Sequence, residues 1–141
     1  EQYPTWLVPL EIAQELKEIG FDEPCHFYYQ NDYSEYLKAG NPDKYHIISD
    51  SLAANRKNAN HNNSDIAISA PTWTDVFAWF RERGLHCSIR YLICPVTYSF
   101  HIIDNCNWDK GCGNRDTYEE AREACIEELI KIFKENKDRL K

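Results

Sequence analysis

The stretch "LHCSIRYLICPVTYSFHIID", Leu85 to Asp104, decides the fold, because its apolar residues recur at every second position rather than every third or fourth. Cys87, Ile89, Tyr91 and Ile93 fall on one face and His86, Ser88, Arg90 and Leu92 on the other, the pattern of a strand with one buried side. After Pro95, "TYSFHIID" sets Tyr98, Phe100 and Ile102 opposite Ser99, His101 and Ile103. Two such runs joined near Cys94-Pro95-Val96 predict a hairpin.

Helix signals flank the hairpin. Upstream, Thr72 with Asp75 three residues later resembles a capping box, Val76, Phe77 and Phe80 make an apolar face, and Gly84 ends the helix. Downstream, "NCNWDKGCGNR", Asn105 to Arg115, reads as a loop. Thr117 and Glu120 then cap the longest helix, in which Ala121, Cys125, Leu129 and Phe133 recur at four-residue steps. Acids crowd its first turns and Lys131, Lys134 and Lys137 its last, matching the helix dipole. Nearer the start, Pro9, Ile12, Leu16, Ile19 and Gly20 mark a helix over 9–19, "CHFYYQ" (Cys25 to Gln30) and "YHIIS" (Tyr45 to Ser49) read as strands, and "IAISAP" before Thr72 as a short extended segment. The expectation is an α+β fold in a single domain spanning 1–141, with a polar, flexible insert at about 31–65. A small, mainly antiparallel sheet packs against two or three helices, the second and last covering one face and the first lying at the edge.

A chain of 141 residues with 43% hydrophobic content suffices for one core that removes roughly two-thirds of the unfolded surface from water. Its net charge of −7 repels nucleic-acid backbones, so long DNA or RNA is excluded as a partner. No apolar run reaches the ~18 residues of a membrane span, and "EQYPTWLVPLEIAQELK" has neither the basic start nor the apolar stretch of an export signal. These features predict a soluble, cytoplasmic protein whose six cysteines are reduced thiols rather than a disulfide scaffold, with Cys87 and Cys125 at core positions. Asn62-Asn63-Ser64 matches a glycosylation sequon that has meaning only in a eukaryotic secretory setting.

Catalytic and cofactor signatures are weak. His86 and Cys87 are neighbours on a strand, so their side chains point to opposite faces and form no dyad. His101, Cys106 and Cys112 suggest zinc, yet the Cys-x5-Cys spacing is wider than a knuckle and no second pair supports it. "GCG", Gly111 to Gly113, lacks the third glycine of a dinucleotide fingerprint, and Asp116, Glu119 and Glu120 would repel phosphate. The reading therefore assigns no catalytic residue, no metal and no cofactor.

A binding set is better supported. Tyr28, Tyr29 and Trp73 offer rings that stack on a base, Arg56 a cation for phosphate, and Asn62 and Asn63 amides that read donor and acceptor edges. All three chemistries occur within or beside the amide-rich run "ANRKNANHNNSD", Ala54 to Asp65. Their chemistry predicts capture of a small nucleotide-like ligand.

"GFDEPCHFYY", "HNNSDIAISAPTWTDVFAWFRERGLH" and "TYEEAREACIEELIKI" together resemble a family of small proteins encoded by phages and prophages of gut Bacteroidales bacteria. The resemblance covers most of the chain and brings no catalytic motif to place on numbered residues. It implies an accessory role in the cytoplasm of a bacterial host cell: a non-enzymatic, counter-defence protein that sequesters a cyclic nucleotide signal, as a monomer or a homo-oligomer. The alternative is a protein-interaction module that inhibits a host protein through an acidic or aromatic surface, with Trp79 as an anchor. A hydrolase assembled from scattered His, Asp and Cys residues ranks third. One contiguous patch without a pocket would distinguish the interaction module from the other two.

Overall fold

A computed structural model of the chain describes residues 5–49, 60–63, 67–104 and 111–137. Among the described residues it is an α+β fold with three helices and two three-stranded antiparallel sheets. The chain forms two compact units, Glu1–Asp75 and Val76–Lys141.

The first unit contains helix α1 (Leu10–Glu18), strands β1 (Phe27–Asn31) and β2 (Tyr45–Ser49), a 3-10 turn at His61–Asn63, and strand β3 (Ala67–Ser69). Helix α1 buries Ile12, Ala13 and Leu16 on one face. It stops where Gly20, at φ +97, takes the left-handed conformation, so that the Phe21 N–H reaches the Leu16 carbonyl (2.9 Å) and the Gly20 N–H that of Lys17 (3.1 Å). This double closure is a Schellman motif, with Phe21 and Leu16 both buried beneath it. The sheet order is β2-β1-β3, with Tyr29 opposite Ile47 on one side and Ile68 on the other. The segment before α1 is tied in by a bridge between Leu7 and Thr72 and by the Val8 N–H on the Pro71 carbonyl at 3.0 Å.

The boundary between the units falls within helix α2 (Trp73–Glu82), which opens with the Asp75 N–H donating to the Thr72 hydroxyl at 3.1 Å. The second unit continues with β4 (Leu85–Ile93), β5 (Val96–Asp104), β6 (Gly111–Arg115) and α3 (Tyr118–Glu135). Strands β4 and β5 pair over their full lengths, from Leu85 with Asp104 to Ile93 with Val96. Helix α3 packs on all three strands and supplies Cys125, Ile126, Leu129, Ile130 and Phe133 to the core. Its Thr117 cap accepts from the Glu120 N–H at 3.1 Å and donates its hydroxyl proton to the Glu120 carboxylate at 2.9 Å.

Two features differ from the sequence reading. The strands divide between two sheets, because β1 takes both β2 and β3 as partners while β4 and β5 join a strand that the sequence hides. That strand is β6, inside the segment read as a loop. Gly113 sits opposite Phe100, whose ring covers it so closely that a Cβ would lie 2.7 Å from the ring. A glycine in a strand marks this kind of close approach, and its turn-like composition conceals the pairing.

Candidate interaction surface

Of the six residues predicted to bind a nucleotide, three have their polar groups engaged by the chain's own backbone. Tyr29 is fully buried and its hydroxyl donates to the Val8 carbonyl at 2.7 Å. Trp73 is 8% exposed, with its indole N–H on the Thr5 carbonyl at 2.9 Å. The Asn62 amide donates to the Phe21 carbonyl (2.9 Å) and accepts from the Ser69 N–H (2.8 Å), so it fastens the 3-10 turn to the rest of the unit. Those three residues were assigned to ligand contact; their polar groups serve the chain's own backbone, because a buried carbonyl or N–H requires a partner. Tyr28 is half-buried and stacks on His61 at 4.2 Å, which covers one face of its ring. Asn63 is exposed within the turn, and Arg56 lies outside the described residues.

A depression in the first unit, lined by Trp6, Cys25, His26, Phe27 and Asp75 among others, measures about 50 Å³. Small-molecule sites run to roughly 300–1,000 Å³, so this one is too small for a nucleotide. Its thiol is also unsuited to catalysis. Burial pushes the Cys25 pKa up to about 12, with Asp75 and Glu23 adding to the rise against a lowering hydrogen bond to Ser69. The thiol donates to the Glu23 carbonyl at 3.4 Å and stays protonated at neutral pH. Among the described residues, no three His, Cys, Asp or Glu side chains cluster as metal ligands.

The second unit presents a different kind of surface. Directly paired residues of an antiparallel sheet share a face, so Cys87/Ile102, Ile89/Phe100, Tyr91/Tyr98 and Ile93/Val96 form one continuous apolar row. Burial falls away along it. Ile102 and Phe100 are buried, Tyr98 is half-buried, and at the tip Tyr91, Ile93 and Val96 are 56%, 72% and 62% exposed. The Tyr91 and Tyr98 rings lie 5.2 Å apart, and Tyr98 meets Tyr118, at the start of α3, edge-on at 6.1 Å. The exposed part therefore continues the core face as an aromatic and aliphatic patch, the kind of contiguous exposed apolar surface that is often functional. Beside Tyr118 in sequence, Asp116, Glu119 and Glu120 are exposed, while the exposed Arg115 pairs directly with Tyr98 and Arg122 stands 5.8 Å over the Tyr118 ring.

Sequence alternation identified this face but assigned burial to its whole length. The signal that distinguishes the tip is residue type: tyrosines at 91, 98 and 118 take the places where the core end has Cys87, Phe100 and Ile102, and a tyrosine tolerates water at its hydroxyl. Trp79, considered as an exposed anchor, is instead 1% exposed, with Phe80 and Phe133 against it and the Arg83 guanidinium 3.7 Å from its ring. Among the described residues, no helix is long and apolar enough to cross a membrane. Comparison with protein-family models, with curated proteins and with solved structures returns no match for the chain.

Proposed function

We propose that the protein is a non-enzymatic binding protein that docks a protein partner through the tip of the β4–β5 hairpin, on the face formed by Tyr91, Ile93, Val96, Tyr98 and Tyr118. The carrying observation is that this face continues the core's apolar row into solvent. Exposed aromatic side chains held by a rigid sheet are the residues from which interface hot spots are built. The partner's chemistry follows from the charge of the chain: its net charge of −7 favours an apolar surface ringed by Lys and Arg. Like charge opposes a second copy as the occupant. The resemblance to phage-encoded proteins supports a host protein as the partner, in the bacterial cytoplasm, with counter-defence as the purpose. Capture of a small cyclic nucleotide is the second reading and rests on the half-buried Tyr28–His61 stack.

The test compares immobilised protein with a Tyr91→Lys/Ile93→Asp double variant for proteins retained from a Bacteroidales lysate. A retained partner is then purified and titrated against both by calorimetry. A loss of about 30-fold or more is expected, the size of one hot-spot contact. Equal affinity overturns the assignment. Dimer formation lost in the double variant would make a second copy the occupant, and a thermal shift with cyclic di- or trinucleotides would move the function to the Tyr28 side.

A further inference from the structure

We infer that the depression in the first unit binds an organic cation, a substituted ammonium head group. Its wall carries the rings of Trp6 and Phe27, which meet edge-on with centroids 5.2 Å apart. Trp6 is 50% exposed, yet the backbone that carries it is held: Leu7 beside it is buried and bridges Thr72, and the Val8 N–H rests on the Pro71 carbonyl. The fold thus presents an anchored indole to solvent. Asp75 stands in the same wall, is exposed, and gives its backbone N–H to the Thr72 hydroxyl. Its carboxylate makes no hydrogen bond or ion pair among the described residues.

Charge and room select the ligand. No Lys or Arg lines the depression, and His26 is the one basic side chain in its wall. The Cys25 thiol, buried in that wall, feels the negative charge of both Asp75 and Glu23, so the local potential favours a cation. The first turn of α2 opposes it with only about half a unit charge, less than one carboxylate carries. Aromatic rings add an attraction that a neutral ligand lacks. The volume of about 50 Å³ is the room of roughly four ordered waters, hence of about four heavy atoms. That accommodates an ammonium with its methyl or methylene substituents and excludes a base or a sugar. A peptide lysine and a free quaternary amine both offer this group, and the net charge of −7 draws either towards the protein. The site stands on residues of the first unit alone and is independent of the reading of the hairpin tip.

The isotope-labelled full chain is titrated at constant ionic strength with choline, with N-acetyl-lysine methylamide, and with the neutral isostere of choline in which carbon replaces nitrogen. Binding is read by NMR from the Trp6 indole N–H and the amides of His26 and Phe27. Both amines should give saturable shifts, and choline should bind at least ~5-fold more tightly than its isostere. Tighter binding of the lysine derivative would name a peptide lysine as the natural ligand, and tighter binding of choline a free quaternary amine. Trp6→Leu keeps an apolar side chain and removes the ring; Asp75→Asn keeps the size and removes the charge. Each should weaken both amines by about 5-fold or more, with Tm within a few degrees of the parent, and if one variant fails to fold the other decides. The Tyr91→Lys/Ile93→Asp variant should bind both amines as the parent does; a loss there would put the amine at the tip and overturn the assignment. It is also overturned if the neutral isostere binds as tightly as choline, if neither amine gives a saturable shift, or if Trp6→Leu and Asp75→Asn bind as the parent does.

Discussion

The amide turn of the first unit and the hairpin tip of the second hold opposite relations between composition and availability. Around His61–Asn63 the chain has amides and large aromatic rings, yet Asn62 bonds two backbone groups, Trp73 reaches the Thr5 carbonyl and Tyr29 the Val8 carbonyl. At the tip the residues are ordinary strand formers, and Tyr91, Ile93 and Val96 are left to solvent. Recognition chemistry in a sequence is therefore available only where the fold leaves it without an internal task. Backbone groups of short, irregular segments claim nearby polar side chains first, whereas a hairpin whose burial falls away towards its tip leaves apolar side chains over.

The strongest way to break this contrast is Trp73→Ala. If Trp73 belongs to the packing of the first unit, the variant should lose about 3–5 kcal/mol in urea denaturation, the cost of truncating a buried indole together with its hydrogen bond. A loss below ~1 kcal/mol would mean that the ring is not held by the fold and would restore it to a ligand site.

Cys25 sharpens the same side of the comparison through pH. Its pKa rises from 9.0 in the unfolded chain to about 12 in the fold. Burial of the neutral thiol thus contributes stability that is complete below pH 9 and is lost as pH rises from 9 towards 12, at a limiting slope of ~1.4 kcal/mol per pH unit. Cys25→Ala should show a shallower alkaline decline than the parent, measured by denaturation at stepped pH. Tyrosine ionisation acts on both proteins and drops out of the difference. Parallel declines would show that Cys25 ionises as freely in the fold as in the unfolded chain.

Much of the architecture was legible because its signals are local. Thr72 and Thr117 cap the helices they were read to cap, Gly20 ends α1, and the alternation from Leu85 onward gives the β4–β5 register. Partner choice was less legible. Nothing in "AIS" or "YHIIS" states that both strands flank β1, and the glycines of β6 carry turn chemistry while Phe100 fills the space of a missing side chain. The candidate surface was half legible: alternation assigned Tyr91 and Ile93 to the apolar face, but where α3 stops covering that face depends on helix placement, which the strand sequence does not encode.

The smallest expected effect is the sharpest test, because it uses one substitution at two places on one face. Ile93→Thr keeps the β-branch that suits a strand and removes apolar surface from a side chain already 72% exposed. Its stability should change by no more than about 0.5 kcal/mol, as exposed positions allow. Ile102→Thr, on the same apolar row and fully buried, introduces a hydroxyl into the core and removes packed carbon, so it should cost on the order of 3 kcal/mol. A ratio near six between the two would locate the end of the core between Phe100 and the tip. If Ile93→Thr instead costs more than ~1.5 kcal/mol, something in the folded chain covers the tip, and a face already covered cannot dock a partner without first being uncovered.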